Sequence, residues 1–135
     1  MNIELQPGKH IYFASDFHLG VPDEASSRER ERRVINWLDR IFLSTQELYL
    51  LGDVFDFWFE YRYAVPAAYL KVLAGLLELT RSGVKAFYVP GNHDFWTRDY
   101  LRHQVGVELT DDAFETERWG KKILITHGDG LRRDD

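Results

Sequence analysis

Cysteine is absent from the 135 residues, so neither a disulfide framework nor a thiolate metal site is available. Any metal has to sit on imidazole, carboxylate or amide oxygen. A surplus of positive charge is missing too: 17 Lys and Arg stand against 22 Asp and Glu, net −5, which removes the general electrostatic case for binding nucleic acid. No run approaches the roughly 18 apolar residues of a membrane span. Met1 to Gly8 lacks a basic segment followed by a long apolar one, so no signal peptide is read there, and a cytoplasmic protein is expected. Repeats, low-complexity tracts and linkers are lacking as well. A single domain over residues 1–135 is the resulting expectation, with a hydrophobic fraction of 44% to supply its core.

Short apolar runs alternate with helical periodicity along the chain. His10 to Ser15, a β-branched and aromatic run, reads as a buried strand, and the apolar runs Leu48 to Leu51 and Val84 to Val89 read as the next two strands. Between them, Val34, Ile35, Leu38, Ile41 and Phe42 recur at helical spacing after an expected N-cap at Ser26 or Ser27, and Leu70, Leu73, Leu76 and Leu77 do so between Pro66 and Gly83. The alternating charges of Arg28 to Arg33 read as the solvated face of the first helix. A short helix is expected from Thr97 to Gln104, ended by Gly106. Phe114 to Trp119 and Lys122 to Thr126 read as a hairpin turning at Gly120-Lys121. This order predicts an α/β fold, a mainly parallel sheet covered by helices, with working loops at the carboxyl ends of its strands.

Those ends carry the chemistry. Asp16-Phe17-His18 follows the first strand, Gly52-Asp53 the second, Pro90-Gly91-Asn92-His93-Asp94 the third, and His127-Gly128-Asp129 the hairpin. By themselves Asp-x-His, Gly-Asp and His-Gly-Asp are weak, arising by chance or as turns, while Asn-His-Asp after Pro-Gly is the stronger signal and suits either a working loop or an Asx-type turn. All four in this order, each after an apolar run, suit a pair of divalent cations. Asp16 and His18 would hold one, Asn92 and His127 the other, and Asp53 would bridge them. Mixed imidazole and oxygen donors favour Mn²⁺, Fe²⁺ or Zn²⁺ over Ca²⁺ or Mg²⁺. Two such ions about 3.5–4 Å apart can bind a phosphate ester, acidify a water and neutralise charge on the attacked phosphorus. His93 is then left to contact a phosphate oxygen or leaving group, with Asp94 to orient it.

These ordered motifs resemble the calcineurin-like metallophosphoesterase superfamily. Within it, Ser15 to Gly20, Leu51 to Trp58 and His127 to Leu131 with Asp134-Asp135 look most like the hydrolases of UDP-2,3-diacylglucosamine. The resemblance implies a helix-covered sandwich of mainly parallel sheets, two Mn²⁺ ions, and cleavage of a pyrophosphate in lipid A biosynthesis, giving UMP and a lipid monophosphate. It also implies a lipid-linked sugar nucleotide as partner and peripheral contact with the cytoplasmic face of a bacterial inner membrane. Hydrolases of that type carry Arg after the motif Asn, whereas His93 is the residue of the wider superfamily, which keeps a soluble-nucleotide phosphodiesterase or phosphatase as the alternative. A non-catalytic scaffold is the alternative of another class, opposed by the presence of each motif ligand up to Asp135. The family's final His-x-His motif does not occur here. On that resemblance the chain is expected to be the N-terminal portion of its domain, incomplete at the C-terminus and by itself inactive or weak. Of the remaining features, the aromatic run from Phe55 to Tyr63 suits either an acyl pocket or core packing. Asp56 and Asp129 are expected to stand behind the ligands, and Trp96 and Trp119 to pack.

Overall fold

The computed structural model describes residues 2–20, 23–55, 69–90, 100–110 and 113–128. Its elements follow as β1 (Asn2–Ile3), β2 (His10–Ala14), α1 (Glu24–Ile41), β3 (Thr45–Leu50), α2 (Leu70–Arg81), β4 (Lys85–Tyr88), β5 (Val107–Leu109), β6 (Ala113–Arg118) and β7 (Lys121–Thr126). Alternation along β3 sets the layers, because successive side chains of a strand point to opposite faces. Leu48 and Leu50 join Ala86, Tyr88 and Val107 under the helices, against Val34, Leu38 and Ile41 of α1 and Val72, Leu73, Leu76 and Leu79 of α2. Tyr49 faces the other way, into a second core with Val89, Phe87, Phe114, Ile123 and Ile125.

Two sheets therefore stack face to face. One is all parallel in the order β2-β3-β4-β5, and the other runs β1-β6-β7, with β1 parallel and β7 antiparallel to β6. Helices cover the first sheet on the side away from the second. Gly75 lets α1 and α2 approach, since a Cβ there would stand 3.1 Å from Leu38 Cδ1. The expected helix-covered, mainly parallel α/β sandwich is what forms. Among the described residues, no helix is long and apolar enough to cross a membrane.

Several local expectations are corrected. Asp23, not Ser26 or Ser27, caps α1, accepting from the Ser26 amide at 2.8 Å; Ser27 lies one turn inside and is buried. Leu101–Val105 forms a π-helical turn. The hairpin turns at Trp119-Gly120, with φ of 55° and 74°, so that Arg118 pairs with Lys121. Trp119 stands 57% exposed in that turn and does not pack. Arg30 is drawn inward from the charged run, as described below. Of the aromatic segment, Phe55 is buried beside Tyr69 in the helix-side core, while 56–68 lie outside the described residues.

Candidate metal centre

Because β2 and β3 are parallel neighbours, their carboxyl ends emerge together, and the chain keeps them paired beyond the strands. Leu51 N donates to Ala14 O, Asp16 N to Gly52 O, His18 N to Asp53 O and Leu19 N to Val54 O, all at 2.7–3.1 Å. The bonds do not extend a regular ladder. Asp16, His18 and Asp53 all take positive φ, 61°, 47° and 54°, as does Gly52 at 79°. Such backbone costs a non-glycine residue of order 1–3 kcal/mol and persists where its surroundings over-determine it. Asp and His are among the types that tolerate it best.

The result is convergence. One donor atom from each of Asp16, His18 and Asp53 lies within 4.8 Å of the others. His18 Nε2 stands 3.4 Å from Asp16 Oδ1 and 4.0 Å from Asp53 Oδ2. Asp16 is exposed and accepts from the Ser15 hydroxyl at 2.6 Å; Asp53 is buried. From the other sheet, β7 delivers His127, whose Nε2 lies 3.2 Å from the same Asp53 Oδ2.

The His127 ring is oriented by the backbone. Its Nδ1 lies 2.6 Å from Leu51 O, and a carbonyl can only accept, so Nδ1 carries the proton. In the neutral ring, Nε2 then turns a lone pair toward the Asp53 carboxylate, two acceptors facing each other at 3.2 Å. Such a pair calls for a cation or a proton between its members. The donor set of carboxylates and imidazoles therefore fits a divalent metal, with the carbonyl behind His127 acting as the usual outer support of such a ligand.

Four of the five expected ligands, Asp16, His18, Asp53 and His127, thus meet at one edge of the sandwich. Asn92 and the expected catalytic pair His93 and Asp94 lie outside the described residues, as do Asp129 and the tail from 130 to 135. Sequence reasoning missed two supports of the site. The Leu51 carbonyl is a backbone group with no side-chain signature. Arg30 donates through Nε to Phe17 O at 3.0 Å and through Nη2 to His18 O at 2.7 Å; its place on the buried stripe of α1 was the available signal.

The chain is 41% identical over 119 residues to a UDP-2,3-diacylglucosamine hydrolase of Porphyromonas gingivalis, covering 88% of this chain and 45% of that protein. It is 35% identical over 127 residues to the enzyme of the same name from Aliivibrio fischeri, covering 93% and 50%. The chain thus spans about half the length of the curated relatives it matches. A crystal structure of a protein of unknown function from Aquifex aeolicus shares the fold, with a TM-score of 0.57 at 22% identity over 86% of this chain and 59% of that one. The family description "Calcineurin-like phosphoesterase" matches residues 9–134, nearly the whole chain, and the protein belongs to that family.

Proposed function

We propose that this chain carries the N-terminal half-site of a metal-dependent phosphoester hydrolase that cleaves the pyrophosphate of UDP-2,3-diacylglucosamine. The observation that supports it most is Asp53 Oδ2, which lies within 4.0 Å of two imidazoles from two different sheets. Asp16 and His18 would hold one divalent ion, His127 with Asn92 the other, and Asp53 would belong to both. When bound, such ions supply positive charge beside the phosphate and a water acidified toward neutral pH. The protein's own groups do the rest. His127 is held in its ligand tautomer by Leu51, and Asp16 keeps an exposed carboxylate at the mouth. His93 would contact a phosphate oxygen or the leaving group, with Asp94 fixing its tautomer. Water adds across the P–O–P bridge, giving UMP and a lipid monophosphate.

Support for the substrate comes from the two relatives at 41% and 35% identity. Mn²⁺ is our choice among the metals that the donor set suits, and the cytoplasmic face of the inner membrane is the corresponding location for a lipid-linked substrate. The test is release of UMP from UDP-2,3-diacylglucosamine by the intact protein with Mn²⁺, beside a simple phosphodiester and a soluble nucleotide. UMP release from the lipid substrate is expected. Turnover of the soluble esters alone would replace this substrate by a nucleotide, the alternative that His93 keeps open. Inertness with every divalent metal would return the chain to a scaffold.

A further inference from the structure

We infer that Arg30 is a positioning residue of the metal centre: its guanidinium bridges the Phe17 and His18 carbonyls and so holds the loop that turns Asp16 and His18 onto one cation. The two bonds, 3.0 Å from Nε and 2.7 Å from Nη2, engage successive carbonyls with neighbouring donors of one rigid plane. A planar fork can do this, while the point-like ammonium of lysine can engage two such acceptors only by bending its stem. Both ends of the clamped dipeptide matter. Asp16 at φ 61° and His18 at φ 47° flank Phe17, so two left-handed residues occur within three positions. Conformations of that kind need external restraint, and Arg30 supplies it from outside the loop.

The helix explains how the restraint is itself held. The buried stripe of α1, traced back from Ile41 through Leu38 and Val34, falls on Arg30 and Ser27 in its first turns. Those positions face the loop, and both serve it: Ser27 Oγ accepts from Gly20 N at 2.7 Å while Arg30 takes the two carbonyls. Asp23 caps the helix through the Ser26 amide and fixes where this stripe begins. Arg32 and Arg33 differ from Arg30 in kind. They are exposed and pair with Glu29 on the solvent side, at 3.1 and 3.6 Å.

A purely structural Arg30 would stabilise the fold equally with and without metal, whereas a positioning residue acts on metal affinity. The experiment is therefore Mn²⁺ titration of the intact protein, followed by the electron paramagnetic resonance of free Mn²⁺, with thermal melts in EDTA and in saturating Mn²⁺. It needs no substrate, so its outcome is independent of which phosphoester is cleaved. Arg30→Met, which keeps the stem and loses the fork, is expected to weaken Mn²⁺ binding by about 10–100-fold, the usual effect of removing an outer support of a ligand. Arg30→Lys is expected to fall between Met and the parent, and Arg32→Gln to bind as the parent does. The rise in Tm on adding Mn²⁺ should shrink in Arg30→Met at equal metal concentration. Mn²⁺ affinity within about twofold of the parent in both Arg30 variants would overturn the inference. So would a loss of Tm of the same size in EDTA and in Mn²⁺. If Arg30→Met does not fold, the affinity of Arg30→Lys decides alone.

Discussion

Asp53 faces His127 in a way that a cation, or a proton, between them would satisfy. Its carboxylate is buried at 5% exposure, and its Oδ2 faces the Nε2 lone pair that the Leu51 carbonyl imposes on the neutral His127 ring. A buried anion costs free energy unless it is compensated. Asp53→Asn keeps the shape and the tolerance of positive φ while removing the charge. It should abolish Mn²⁺ binding measured by calorimetry, together with the rise in Tm expected of the parent on adding Mn²⁺, and should leave the melt in EDTA no lower than the parent's. Loss of stability in EDTA with Mn²⁺ binding intact would contradict this account. At this scale the sequence was readable where a candidate ligand follows a strand: Asp16, His18, Asp53 and His127 were expected to meet, and the structure brings them together. Arg30 was not, because alternating charges from Arg28 to Arg33 look solvated until the phase of Val34, Leu38 and Ile41 is carried back through them.

Among the elements, the β6–β7 hairpin has the plainest local fault. A two-residue turn with positive φ at both positions is of the mirror-image kind that matches strand twist, and it favours Asn-Gly. Here its first residue is Trp119, at φ 55° and 57% exposed, so a bulky side chain bears the conformation with little burial in return. Trp119→Asn should raise the free energy of unfolding in urea by about 1 kcal/mol, the lower end of the cost of a left-handed L-residue. An unchanged or lower midpoint would mean that the indole contributes packing which outweighs it. The same residue explains why the turn was expected one place later: Gly120 was legible as a turn residue, and Trp119 gave no sign of preceding it inside the turn. Strand β3 was likewise read short, from Leu48, because Thr45, Gln46 and Glu47 look polar. Its true start matters, since Glu47 reaches into the core.

At the scale of the whole molecule, Glu47 joins the two sheets. Arg118 of β6 donates from Nε to Glu47 Oε1 at 2.8 Å and from Nη2 to Oε2 at 2.6 Å, with Nη2 also 2.9 Å from the Tyr49 hydroxyl. Glu47 and Arg118 are 1% and 4% exposed. Because β3 leads to Asp53, and β6 through the hairpin to His127, this pair sets the sheets that bring both candidate ligands to one edge. Removing one partner leaves a buried charge, so Arg118→Met should cost about 3–5 kcal/mol in urea unfolding, and Glu47→Met added to it should recover much of that loss. Equal losses in the single and double variants would show that packing, not charge, dominates. The phenol provides an independent test through pH. Burial, and then the Glu47 carboxylate, push Tyr49 up to about 12, while Arg118 opposes the shift. The unfolded chain gives up this proton first, near pH 10, so stability from Tyr49 is fully present below about pH 10 and lost as pH rises toward 12. Over that window stability should fall by about 1.4 kcal/mol per pH unit more in the parent than in Tyr49→Phe. Parallel urea midpoints for the two proteins across that window would mean that the phenol titrates freely, and that the sheets are not closed over the Arg118 cluster.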